Sequence, residues 1–274
     1  MMPRSSLGGA VAATALVLAI AVSAAQQPGG PTGGERGRRG TLTPGERRSS
    51  ADGPLDGNLR YDGRFTFVRL RYEPGAGGSY YQREPPWSHD YPRADRNFMK
   101  ILNEVSYLGP HTDGSNVLSL GDPELFKYPL AYLCEPGFWT LGNNDAEALR
   151  TYLLKGGFLI FDDFRGRDWE NFETQIRRVL PQGRFVPLDA SHPIFHSFFE
   201  IDSLDFIQFY DRAQPYFYGM FEDNDPKKRM LMIVNFNNDI SEYWEWSDTG
   251  LMPVDRSNEA YKLGVNYVVY GMTH

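Results

Sequence analysis

Two carboxylates close a buried apolar run in Gly156-Gly-Phe-Leu-Ile-Phe-Asp-Asp163. A carboxylate at a strand end can act as a general base or hold a polar ligand. Adjacent strand residues point to opposite sides, so only one of the two faces a crevice directly. Asp163 is assigned that role, and Asp162 the structural one. The competing assignment for Asp163 is local, with its carboxylate accepting from backbone amides of the next helix.

Other chemistry-bearing residues follow other apolar runs. Glu135 succeeds Leu130-Ala-Tyr-Leu-Cys134, and Trp87 and Asp90 lie in the loop beyond Phe65–Tyr72. Arg165 follows Asp163, and Asn237 and Asp239 follow Met230–Phe236. In a parallel sheet, ligands bind outside the carboxyl ends of the strands. One reading is therefore a polar-ligand crevice built from Asp90, Asp163, Arg165, Asn237 and Asp239, with Trp87 as a stacking surface for a glycan or cell-envelope fragment. A second is a hydrolase using Asp163 or Glu135 as base with His192 nearby. A third is a protein-interaction scaffold that docks a partner through the loop aromatics Tyr80, Tyr81, Trp87 and Tyr91.

Cys134 ends a strand as a catalytic elbow would, but such elbows take small flanking residues, and Tyr132 and Leu133 precede it. It is read as core. His192 and His196 have a helical metal-ligand spacing, yet Pro193 places His192 outside a helix and no third ligand is legible. No metal or cofactor is expected from these patterns. His89 and His111, in polar loops, form no pattern of their own.

The elements that position these groups alternate along the chain. Phe65–Tyr72 alternates apolar and polar residues and predicts a first strand. Ala94–Ser106 carries Phe98, Ile101, Leu102 and Val105 at helical spacing. Leu130–Cys134 predicts a central strand. Asn143 or Asn144 can cap a helix bearing Leu149, Tyr152 and Leu153, which Gly156-Gly157 ends. Phe158–Phe161 predicts a strand buried on both faces, and Trp169–Leu180 another helix. Tyr216–Glu222 and Met230–Phe236 predict a hairpin, and Glu259–Tyr270 a closing helix. The pattern specifies an α/β sandwich with a mostly parallel sheet and an antiparallel hairpin extension near the C-terminus.

Ahead of this domain, Arg4 and the apolar run Gly8–Val22, followed by Ser23-Ala24-Ala25, predict a signal peptide over 1–25. Residues 26–58 are rich in Gly, Pro and Arg and predict a disordered linker. The domain is then 59–274, exported to the periplasm or beyond, without stable membrane insertion. It carries 22 basic and 31 acidic residues. Such an acidic balance argues against nucleic acid as a partner. With Cys134 as the single cysteine, the domain must be held by its core rather than by an internal disulfide.

The segments Phe65–Tyr72, Trp87-Ser-His-Asp-Tyr-Pro-Arg-Ala-Asp95, Leu149–Phe158, His192-Pro-Ile-Phe195 and Asn237-Asn-Asp239 together resemble the bacterial domain of unknown function 4159 over Arg64–His274. That family is similar to the class I glutamine amidotransferase-like superfamily, and to its trehalose-utilisation-type members. The resemblance implies a flavodoxin-like α/β sandwich. It does not carry over the amidotransferase Cys-His-Glu triad, because Cys134 lacks a Gly-rich elbow and no His-x-Glu follows a late strand.

Overall fold

The computed structural model describes residues 57–75, 84–205 and 214–274. The signal-peptide assignment, most of the linker, and Tyr80 and Tyr81 lie outside them. In chain order the strands are β1 (Val68–Arg71), β2 (Glu73–Pro74), β3 (Asn116–Ser119), β4 (Leu130–Cys134), β5 (Trp139–Thr140), β6 (Phe158–Phe164), β7 (Val186–Pro187), β8 (Tyr216–Phe221) and β9 (Met230–Phe236). The helices are α1 (Arg93–Val105), α2 (Asn143–Leu154), α3 (Asp168–Val179), α4 (Ile240–Glu245) and α5 (Val254–Thr273).

Seven strands form one sheet in the order β3-β1-β4-β6-β9-β8-β7. The contacts from β3 to β9 are parallel, and β8 and β7 add antiparallel neighbours beyond β9. This α/β arrangement is consistent with a Rossmann- or flavodoxin-like sandwich. Strands β2 and β5 pair separately. The first strand lies between the second and third parallel strands, so the connections leave β1 and β4 in opposite directions. That is a topological switch point, where a crevice opens at the carboxyl ends.

Side-chain alternation divides the core in two. Tyr132, Cys134, Ile160 and Ile233 pack with Phe98 and Leu102 of α1, Trp244 of α4, and Leu263 and Tyr267 of α5. Ala131, Leu133, Leu159, Phe161 and Val234 pack with Leu149 and Leu153 of α2 and with Phe172 and Ile176 of α3. With both faces covered, β4 and β6 must be continuous apolar runs, as their sequences are.

Helix α2 begins one residue earlier than a cap at Asn143 or Asn144 implies. Gly142 is the cap, and Asp145 accepts from its amide at 3.0 Å. Gly156, at φ 115°, makes the left-handed exit. Asn58, assigned to the linker by composition, exchanges two hydrogen bonds with Val117 of β3. No helix among the described residues is long and apolar enough to cross a membrane.

Candidate functional site

The site begins with a buried arginine on β1. Alternation alone would leave Arg69 half solvated, but α1 covers that face and Arg69 has no exposure. Its guanidinium grips the Asp95 carboxylate, with Nη2 to Oδ1 at 2.6 Å, and Ser115 donates to the other oxygen. Its Nη1 donates to the carbonyls of Trp87 at 3.2 Å and His89 at 2.8 Å. Arg69 thereby fixes the loop carrying His89 and Asp90 over the carboxyl end of β1.

Two carboxylates, Glu135 and Asp163, meet that loop beside its own Asp90. Asp90, Glu135 and Asp163 all have left-handed backbones, with φ 62°, 47° and 55°. Non-glycine residues rarely adopt this conformation, and such strain collects at functional sites. Glu135 follows the last residue of β4 and precedes a 3₁₀ turn, Pro136–Phe138. The apex of this strand-to-helix elbow is therefore a glutamate rather than Cys134. At β6 the register against β9 shifts between Phe161 and Phe164, which re-aims Asp163.

His89 Nδ1 lies 2.7 Å from Asp163 Oδ2 and 3.8 Å from Glu135 Oε1. On the other side of the ring, Nε2 lies 3.6 Å from Asp90 Oδ1. Cys134 Sγ donates to Asp163 Oδ2 across 3.5 Å. One ligand atom each from His89, Asp90, Cys134 and Asp163 falls within 4.8 Å of the others, a set able to hold a metal ion. Asp90, Asp239 and Glu242 form a second such group, so Asp90 links Asp163 to Asp239.

Packing so many acids together separates their proton affinities. Burial pushes the Glu135 carboxyl up, the charges of Asp163 and Asp90 add to this, and it reaches about 9. Burial also acts to raise Asp163, but the hydrogen bond and charge of His89 prevail and hold it below the usual carboxylate range. Burial opposes the charged imidazole of His89, yet Asp163, Cys134 and Asp90 raise it well above its ordinary value. Asp239 is pushed well up by burial and by Asp163 and Asp90. Burial and the Asp163 charge raise the Cys134 thiol. At neutral pH the arrangement is an imidazolium–carboxylate pair beside a protonated carboxylic acid.

Asp162 points the other way and is structural. Its Oδ2 accepts from the Tyr132 hydroxyl at 2.9 Å and from the amides of Ile240 and Ser241, and its Oδ1 from Asn235. It pins the start of α4 to the sheet. Burial and the Asp163 charge raise its carboxyl to about 7. The turn into α3 uses Asp168, which accepts from the Arg165 amide, so Asp163 is not spent there.

The other sequence-derived candidates fall in different places. Asp239 caps α4, accepting from Glu242 N at 2.9 Å, and still borders the cluster. Trp87 is 1% exposed and offers no stacking surface, because a 3₁₀ turn at Pro86–Ser88 folds its ring into the core. Asn237 ties strand ends together, accepting from Gly166 N and donating to Gln214 O. Arg165 is exposed, and its backbone amide donates to Asp168 at the start of α3. His192 is not at this edge. Its Nδ1 accepts from Ile194 N, and its ring packs against Phe221 and Tyr270. Tyr270 in turn meets Phe158, the first residue of β6, so His192 belongs to the amino end of the sheet. His196 pairs with Glu200 and the Ala190 carbonyl. A cavity of about 530 Å³ bounded by Arg150, Met220, Phe221 and Leu231 also opens at the amino end, away from the cluster.

His89 is the member of this cluster that no sequence pattern singles out. The available signal was Arg69, a charge in an otherwise apolar strand, which needs buried partners.

Fold and site thus define an α/β protein with a histidine–carboxylate cluster at the carboxyl edge of its parallel sheet. Residues 66–272 match the family described as domain of unknown function (DUF4159), and the chain belongs to that family. No curated protein matches the chain.

Proposed function

We propose that the domain is an exported enzyme of the hydrolase type, acting by acid–base chemistry on a polar substrate at the carboxyl ends of β1, β4 and β6. One observation carries the reading. His89 Nδ1 is 2.7 Å from Asp163 Oδ2 and 3.8 Å from Glu135 Oε1, so three separate chain segments address one point. Asp163 orients the imidazole, and Glu135 at the elbow apex is the group that exchanges a proton with the reacting atoms. Asp90 and Asp239 form an acidic wall behind them.

This keeps the carboxylates of the hydrolase reading and replaces His192 with His89. Trp87 is buried, which removes the main support for a glycan in particular and leaves a polar ligand. The order of the five parallel strands supports a flavodoxin-like sandwich related to the class I glutamine amidotransferase-like superfamily. Amidotransfer is not part of the proposal, since the elbow apex is Glu135 and the Cys134 thiol is buried. Export follows from the N-terminal run Gly8–Val22 behind Arg4.

The test is a turnover screen of the chain against esters, amides, phosphoesters and glycosides, with and without divalent metals. Glu135→Gln and His89→Gln should each lower kcat/KM by about 100-fold or more, and His192→Asn should leave it unchanged. No turnover of any substrate class by the unmodified chain removes the enzymatic reading.

A further inference from the structure

We propose that His89, Asp90, Cys134 and Asp163 bind a single transition-metal dication of the zinc type. The proposal rests on the same site as the enzymatic reading; with the ion bound, the imidazolium–carboxylate pair of His89 and Asp163 gives way to two ligands, and metal binding can be measured without turnover.

The donor set is one imidazole nitrogen, one sulfur and two carboxylate oxygens within 4.8 Å of each other. Calcium and magnesium take oxygen ligands, whereas nitrogen and sulfur beside oxygen match zinc and its neighbours. The spacing agrees. With Zn–S of about 2.3 Å and Zn–O of about 2.0 Å, a tetrahedral angle sets sulfur and oxygen about 3.5 Å apart. Cys134 Sγ and Asp163 Oδ2 are 3.5 Å apart. The 2.7 Å contact of His89 with Asp163 is a hydrogen-bond distance, and a shared ion would widen it to about 3.3 Å.

An independent observation comes from Asp90. Its side chain has no solvent exposure, and its Oδ1 accepts no hydrogen bond while facing His89 Nε2 at 3.6 Å. Buried carboxylate oxygens are ordinarily satisfied by donors or by a metal. The other oxygen is held by the Ser241 hydroxyl at 2.6 Å, an outer contact that would fix the ligand's orientation. His89 is 46% exposed in its side chain, so the ion would have a route in and a face open to substrate.

The experiment uses the untagged full chain, stripped with chelator and titrated with Co²⁺ and then Zn²⁺. One equivalent should bind, with a sulfur-to-cobalt charge-transfer band. Cys134→Ser should abolish that band, and His89→Gln, at a partly exposed position, should weaken zinc binding about tenfold or more. Glu135→Gln should still bind the ion. Circular dichroism establishes that each variant is folded. A folded chain that takes up no stoichiometric zinc overturns the proposal, as does uptake unchanged in both Cys134→Ser and His89→Gln. Zinc binding without turnover of any substrate would remove the enzymatic reading and keep the metal site. Turnover by a chain that takes up no zinc would do the reverse.

Discussion

Arg69 Nη1 holds the main-chain carbonyl of His89 at 2.8 Å, although the two residues lie on different elements. The contact makes the loop carrying His89 and Asp90 an extension of the core, because the same guanidinium is ion-paired with fully buried Asp95. A buried pair of this kind adds little net stability, but removing one partner leaves an uncompensated charge. Arg69→Met should therefore cost about 3–5 kcal/mol in urea unfolding. An unchanged midpoint with an unchanged slope would contradict this role.

Asp162 is expected to matter for architecture. Replacing it with Leu leaves the Asn235 amide and the backbone amides of Ile240 and Ser241 without this acceptor, while the Tyr132 hydroxyl keeps Ser241 Oγ at 2.8 Å. Each buried unsatisfied donor costs roughly 1–3 kcal/mol, so a total loss of at least about 3 kcal/mol is predicted. Hydrogen exchange at Ile240 and Ser241 should accelerate, and wild-type protection at those amides would refute the assignment.

Glu135 predicts a pH dependence in metal-free protein. Its carboxyl is raised to about 9 in the fold, above the ordinary 4.5. Between those values the folded state binds the extra proton, so this group's contribution is complete below about 4.5 and declines as pH rises toward 9. Glu135→Gln, which mimics the protonated form, should gain stability relative to the parent as pH increases from 5 to 9. The check is urea midpoints for both proteins at several pH values. A constant difference would mean that Glu135 is not held protonated.

The layered fold was legible because its signals are local. Leu130–Cys134 and Phe158–Phe161 are apolar on both faces, and Gly156-Gly157 marks a helix end whatever surrounds it. The site was legible only to the level of strand ends. That rule named Asp163, Glu135, Asp90 and Asp239, which lie near one another in the fold, while Trp87 is buried and His192 lies at the other end of the sheet, because exposure and sheet end depend on tertiary packing. His89 depends on Arg69 being covered by α1, and short α4 depends on Asp162. Both are long-range relationships that leave little periodicity in the chain.

His192 makes an opposite prediction from the cluster. Half-burial lowers its imidazole below the ordinary 6.5, so its contribution to stability is present above that value and is lost as pH falls below it. His192→Asn keeps a side-chain acceptor for the Ile194 amide. The variant should gain on the parent between pH 7.5 and 5.5 in urea unfolding, without altering metal uptake. Reduced metal uptake in this variant would place His192 in the site after all.

The pairing of His89 with Asp163 is tested most directly by a double-mutant cycle on metal-free protein at neutral pH. Unfolding free energies would be compared for the parent, His89→Gln, Asp163→Asn and the double variant. A hydrogen-bonded pair 2.7 Å apart should give a coupling of about 1–3 kcal/mol. Additive losses, with coupling within about 0.3 kcal/mol of zero, would show that the two side chains do not interact and would contradict the site.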